Sequence, residues 1–194
     1  MPKTGSTSLQ QALLNGAADL RRVGVLYPNI GNFEGQAAHH RYFLGLLDDD
    51  HHRFLRTPFT KPRPDFDTEH SALLAAVDAS HCNTILLSSE ILWNPRAFDS
   101  AVLHRIKSTF SDYEVLITAG LRTIPSHSLS GYAQRIQGPQ RYCGTFADHI
   151  RENTDDQVWD YVQRLYSFAA VFGPEAIFPF WYEDVRQNLF VPFA

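Results

Sequence analysis

Residues 84 to 90 read TILLSSE, a short apolar run that ends in small polar residues and one acid. A run of this length without alternation is the signature of a strand covered on both faces, and such strands belong to parallel sheets. Tyr113 to Leu121 has the same character, and Ala176 to Trp181 supplies a further strand whose Pro179 predicts an edge or a bulge. Helical spacing fills the intervals. It covers Ser6 to about Val23 before a stop at Gly24, then His70 to Ala79, and Phe98 to Phe110 with a stripe at Val102, Ile106 and Phe110. It returns over His127 to Gln137, Phe146 to Glu152 and Asp156 to Phe172. Helices alternating with buried strands predict an α/β fold on a mainly parallel sheet.

Residues 31 to 69 interrupt this rhythm. They hold the pairs His39-His40 and His51-His52, the acidic run Asp48 to Asp50 and a Pro-rich stretch from Thr57 to Asp65. The segment reads as a loop-rich insertion, with one short helix near Arg41 to Leu47, inside a single domain spanning residues 1 to 194. Adjacent histidines in such a setting are expected to be solvated, and their spacing fits no recognisable zinc site, so no metal is expected.

With 44% hydrophobic and 20% charged residues, the composition is that of an ordinary globular chain. The formal net charge of −4 offers no bulk attraction to nucleic acid or to an anionic membrane, so any anion site must be local. No apolar run approaches the roughly 20 residues of a membrane span. No apolar stretch behind Lys3 makes a signal peptide, and Cys82 and Cys143 read as two reduced thiols. Together these features predict a cytoplasmic protein.

A local anion site is suggested by the opening, MPKTGSTSLQ, residues 1 to 10. Gly5 lets the backbone turn tightly into a helix whose first N–H groups and partial positive charge can cradle a phosphate. Lys3 adds a full charge, and Thr4, Ser6, Thr7 and Ser8 add hydroxyls. The alternative is a plain N-cap at Ser6 or Thr7 with Lys3 in solvent. The Walker-A pattern is not met, because there is one glycine and the lysine precedes it, which disfavours an ordinary P-loop kinase.

Pro-Lys-Thr-Gly-Ser-Thr-Ser-Leu-Gln resembles the 5′-phosphosulfate loop of sulfotransferases that use 3′-phosphoadenosine 5′-phosphosulfate (PAPS). A second match is LRTIPSHSLSGYAQ, residues 121 to 134, with Arg122 leaving a strand, then Pro125, Ser130 and Tyr132; here the proline stands one place later than in the family's R-x-P. GVLYP (24 to 28) and FGPEAIFPFWYEDVRQNL (172 to 189) resemble further family segments. The chain thus resembles the bacterial, carbohydrate-type branch. That implies a P-loop-like three-layer sandwich, with a central parallel sheet flanked by helices. The family's first, central strand would precede Met1, and its closing segment would follow Ala194, so the resemblance also implies a chain truncated at both ends.

The resemblance implies metal-free transfer of a sulfuryl group to a hydroxyl or amine on a small-molecule or carbohydrate acceptor. It implies that Lys3, Thr4, Gly5, Ser6, Thr7 and Ser8 bind the 5′ end of PAPS, with Lys3 stabilising the leaving group, and that Arg122 and Ser130 bind the 3′-phosphate. A guanidinium at a strand end with a hydroxyl on the next helix suits a phosphate dianion. Ligands of open parallel sheets gather at the carboxyl ends of strands, which makes Glu90 the first candidate for general base. Its alternative is to cap the next helix or pair with an arginine. His40 and His39 are the rivals for the base, since an imidazole titrates near neutrality. Trp159, Tyr161 and Trp181 are candidates for stacking on adenine or for the core. A homologue that binds nucleotide without turnover and a P-loop small-molecule kinase remain as other readings.

Overall fold

The computed structural model describes residues 5–32, 37–55, 64–138, 141–153 and 159–188. The chain divides into two compact units: Ser6–Thr109 forms one, and Phe110–Ala194 belongs to the other.

In the N-terminal unit the helix expected over 6–23 is two helices, α1 (Ser6–Asn15) and α2 (Ala17–Arg22). They part at Gly16, which still donates to Ala12 O at 2.9 Å while its own carbonyl accepts from Asp19 and Leu20. Asn15-Gly16 is a weak helical pair, so the break falls there. Strand β1 (Val25–Leu26) pairs in parallel with β2 (Thr84–Ile85), Val25 opposite Thr84 and Leu26 opposite Ile85. The sequence reading had no strand at 25–26, because two residues are too few to display a period. Between them come α3 (His40–Gly45), α4 (Asp49–His52) and α5 (Phe66–Asp78). Helix α5 begins four residues before the predicted His70, because Asp65 precedes it in extended backbone and takes the Thr68 hydroxyl. A 3-10 turn (Glu90–Trp93) and α6 (Ser100–Thr109) complete the unit. Asp99 caps α6 by accepting from Ala101 and Val102. The core gathers Leu26, Tyr42, Leu44, Leu47, Phe98, Val102 and Leu103, all fully buried.

In the C-terminal unit β3 (Ile117–Leu121) pairs in parallel with β4 (Ile177–Trp181), in unbroken register from Ile117–Ile177 to Leu121–Trp181. Pro179 faces Ala119 with no bulge; of the two placements the sequence allowed, it takes the edge, where its missing N–H costs no ladder bond. Between the strands lie α7 (Ile124–Gln137), α8 (Phe146–Asn153) and α9 (Tyr161–Phe172), and α10 (Tyr182–Val185) follows β4. Helix α7 starts at Ile124 rather than at His127, with Pro125 in its first turn, where its lacking N–H is harmless.

The fold is therefore mixed α/β, mostly helical, with short parallel strands. The strands form two separate two-stranded sheets rather than one, because no described strand bonds to both pairs.

The chain before α3 is held by a close approach. Gly31 stands at φ 61°, with Arg41 N–H donating to its carbonyl at 2.8 Å and its own N–H donating to Glu69 Oε2 at 3.0 Å. A Cβ there would lie 2.7 Å from Tyr42 Cβ. Gly31→Ala combines left-handed strain with overpacking and is expected to cost about 2–5 kcal/mol. Urea unfolding checks this, and a loss below about 0.5 kcal/mol would show that the turn is not under steric control.

Candidate functional site

Three elements meet just past the carboxyl end of β2. The segment Ser88-Ser89-Glu90 leaves the strand, α1 contributes Ser6 and Gln10, and the start of α3 contributes His39 and His40. Each serine and the acid is held by a different partner. Ser88 N–H donates to His39 Nδ1 at 2.9 Å, Gln10 Nε2 donates to Ser88 Oγ at 3.0 Å, His40 Nδ1 meets Ser89 Oγ at 2.7 Å, and Ser6 Oγ donates to Glu90 Oε2 at 2.6 Å.

The two histidines are not solvated, contrary to the expectation from their setting: His39 is 0% and His40 3% exposed. The physical reason is that each ring finds its partners across the fold. Because His39 Nδ1 accepts from Ser88 N–H, Nε2 must carry the proton, and it donates to Pro28 O at 2.8 Å. Burial pushes this imidazole down from its ordinary value, against the pull of its bonds to Pro28 and Ser88, and the neighbouring His40 adds to the depression. His39 is thus a neutral clamp that holds the β2 exit against the loop after β1. Burial also depresses His40, but there the Glu90 carboxylate pulls the other way. Glu90 neither caps a helix with its side chain nor pairs with arginine among the described residues; its Oε2 accepts from the Ser6 hydroxyl. The carboxylate thus sits against the first residue of the helix that follows the Gly/Ser/Thr turn.

Of the loop residues themselves, Lys3 and Thr4 lie outside the described residues. Gly5 has φ 72°, the left-handed conformation that the expected tight turn calls for. Ser6 opens α1, with Thr7 and Ser8 exposed in its first turn. Gln10, buried under the site, was quoted in the loop pattern without a role, since only its contact with Ser88 gives it one.

In the C-terminal unit, Arg122 leaves the carboxyl end of β3. Its Nε donates to Ser126 Oγ at 2.7 Å, its guanidinium lies 5.1 Å from the Tyr182 ring centroid, and it stands 4.0 Å from Glu183 Oε1. Glu183 also accepts from Thr123 N–H at 3.1 Å, and Tyr161 Oη donates to Arg122 O at 2.8 Å. The acidic residue of the Tyr-Glu-Asp motif therefore fixes the strand exit that carries Arg122. Ser130 lies one helical turn beyond Ser126 on the same face of α7, lining an open cleft of about 410 Å³ with Ala133, Gln134, Gln137 and Gly138. Ser126 was not singled out from the sequence; its i, i+4 relation to Ser130 was the available signal.

The aromatic candidates divide. Tyr161 is core, and Trp159 Nε1 donates to His127 Nδ1 at 2.9 Å, whereas Trp181 is half exposed. Tyr132 donates to Gly144 O at 3.1 Å and packs on Phe146 and His149. In the other histidine pair, His51 bridges Asp48 and Asp99. Its bond to Asp48 raises its pKa, and the Asp48 carboxyl is drawn down to about 2 by the His51 N–H and ring. Cys82 and Cys143 are free thiols. Among the described residues no group of three or more His, Cys, Asp and Glu could hold a metal ion, and no helix is long and apolar enough to cross a membrane.

Comparison with protein-family models, with curated proteins and with solved structures finds no match to this chain.

The His39 clamp has a pH signature. A histidine whose folded pKa is depressed binds a proton more readily in the unfolded chain. Its stabilising contribution is therefore complete above the unfolded value, about 6.5, and is lost as pH falls below it. His40 adds in the same direction. Urea unfolding free energies between pH 7 and pH 5 are expected to fall with a slope approaching 1.4 kcal/mol per pH unit for each such group. In His39→Gln, whose amide can make both bonds without titrating, the slope should drop by about one proton; an unchanged slope would mean that His39 is not the buried neutral group.

Proposed function

We propose that this chain acts as a PAPS-dependent sulfotransferase domain, transferring a sulfuryl group to a hydroxyl or amine on a small-molecule or carbohydrate acceptor. The observation that carries the reading is the Ser6–Glu90 bond, at 2.6 Å: it sets a proton acceptor against the first residue of the helix that follows the proposed anion loop. The fold that this reading calls for is the P-loop-like three-layer sandwich.

The donor set suits a phosphate ester. Gly5 at φ 72° turns the chain into α1, whose first N–H groups have no intrahelical acceptor and point outward. Ser6, Thr7 and Ser8 offer hydroxyls, and Lys3 offers the charge that a departing phosphate oxygen needs. Arg122 and Ser130 supply a guanidinium and a hydroxyl for the second phosphate. PAPS, when bound, supplies an activated sulfuryl group whose departure leaves adenosine 3′,5′-bisphosphate.

Glu90 takes the acceptor's proton, with His40, held by Ser89, as the alternative base. His39 serves a different purpose, fixing the segment from which Glu90 projects. The lower the mobility of that segment, the larger the part of the barrier removed by positioning alone.

Calorimetric titration with adenosine 3′,5′-bisphosphate in the absence of magnesium is expected to give binding. Lys3→Ala and Arg122→Ala should each weaken it at least about tenfold, the loss of one charge-assisted contact. Transfer of radiolabelled sulfate from PAPS to an acceptor panel should fall by about 100-fold or more in Glu90→Gln while bisphosphate binding survives. Bisphosphate affinity unchanged in both the lysine and the arginine variants would remove the site assignment. Binding without any transfer would leave a nucleotide-binding homologue instead.

A further inference from the structure

We propose that Arg135 and His149 form an acid-released latch that holds residues 141–144 against the last turn of α7. The latch lies wholly within the C-terminal unit and does not depend on the sulfotransferase reading.

The partners of His149 fix its tautomer. Its Nδ1 lies 3.1 Å from Arg135 Nη1 and 3.2 Å from Asn153 Nδ2. A guanidinium has only donors to offer, and the Asn153 amide nitrogen is identified by its bond to His149 O at 2.6 Å. Nδ1 is therefore a bare acceptor, and the neutral ring carries its proton on Nε2, which leaves that side for its bond to the Ser128 backbone. The ring is buried and packs so closely on α7 that a Cβ at Gly131 would stand 3.5 Å from Nε2. A proton arriving at Nδ1 would set an N–H against two donors, one of them a permanent cation.

Arg135 in turn braces the chain after α7. Its Nη2 pairs with Glu152 Oε2 at 2.8 Å, and its guanidinium lies 3.8 Å from the Tyr142 ring centroid. Its Nε is buried and meets no acceptor among the described residues, so losing His149 leaves Glu152 as its side-chain acceptor. Tyr142 N–H donates to Arg135 O at 2.9 Å, and Arg141 N–H donates to Gly138 O at 3.1 Å. Residues 141–144 thereby fold back on the turn whose Gln134, Gln137 and Gly138 line the open cleft beside Ser130.

The groups facing the imidazole hold their charge while it titrates. Arg135 stays cationic. Its bond to Glu152, with that of the Tyr142 hydroxyl, keeps the Glu152 carboxyl below the usual range. Burial, then the same Glu152 bond, pushes the Tyr142 hydroxyl up. Asp148, bound to Thr145 and Arg151, is drawn down as well. Tyr132 and Phe146 pack on the ring. Burial first, then the Arg135 charge, depresses His149, against the pull of the Ser128 backbone and Glu152.

Acid therefore removes an acceptor from Arg135 and places a second positive charge beside it. The guanidinium leaves the Tyr142 ring, residues 141–144 come away from α7, and one wall of the cleft slackens. Opening takes up one proton. The open population rises by up to about tenfold per pH unit between the value of a free imidazole, about 6.5, and the depressed one.

The test is nuclear magnetic resonance of the full chain from pH 8 to pH 4.5, following the His149 ring signal and hydrogen exchange at Tyr142 N–H corrected for intrinsic rates. His149 is expected to titrate below 6.5. Protection of Tyr142 N–H should fall with it, by up to about tenfold per pH unit, and this amide should exchange ahead of those of β3, as a local opening requires. Arg135→Met should move the His149 titration upward and Glu152→Gln should move it downward. In His149→Asn, whose amide can accept from Arg135 without titrating, the pH dependence at Tyr142 should disappear. A wild-type His149 that titrates at or above 6.5, or is still neutral at pH 4.5, would overturn the latch. So would Tyr142 protection that stays flat across the His149 titration. These readings come from wild type and do not require any variant to fold.

Discussion

A buried neutral imidazole organises the N-terminal unit. His39 accepts from Ser88 N–H on one side and donates to Pro28 O on the other, tying together the segments that leave the two parallel strands β1 and β2. Backbone groups at strand ends have lost their ladder partners, and leaving them unpaired in the interior would cost about 1–3 kcal/mol each. The clamp satisfies one donor and one acceptor at once. It also fixes the place of its neighbour, because α3 begins at His40, and the ring that follows the clamp is thereby delivered to Ser89. Adjacent histidines thus have different partners: one bonds the backbone of both strand exits, and the other meets the Ser89 hydroxyl.

The C-terminal unit solves a similar problem with charge. The exit of β3 carries Arg122, and its backbone is held by Tyr161 and by Glu183, a residue from the helix that follows the partner strand. Glu183 lies 60 residues from Thr123 in sequence, yet the parallel pairing of β3 and β4 brings their carboxyl ends to the same level. Desolvation works against ionisation of Glu183, but the bonds it accepts and the Arg122 charge keep its carboxyl below the usual range. The guanidinium is thereby oriented by contacts within its own unit.

Much of this arrangement was legible in the chain. The apolar runs before Ser88 and Arg122 marked strands, and both pairs are parallel as those runs predicted. Pro179 announced an edge or a bulge. Other features were hidden for identifiable reasons. Two residues at 25–26 are below the length at which any period can be seen, so β1 needed its partner to become visible. The helix over 6–23 looked continuous because its apolar spacing persists across Gly16, although the backbone does not. The burial of His39 and His40 could not be read from sequence, because it depends on partners at Pro28, Ser88 and Ser89 far along the chain.

The sequence by itself determined the mixed α/β character, the parallel sense of the strands and the positions of Glu90 and Arg122 at strand exits. These depend on local hydrophobic runs and on the geometry of a crossover, both written within a few tens of residues. Only the tertiary structure decided that the strands stand in two pairs, that His39 is a clamp while His40 meets Ser89, and that Ser6 bonds Glu90 across 84 residues of chain. Those outcomes turn on which distant donor meets which acceptor within about 3 Å, a distance that hydrophobic periodicity does not encode.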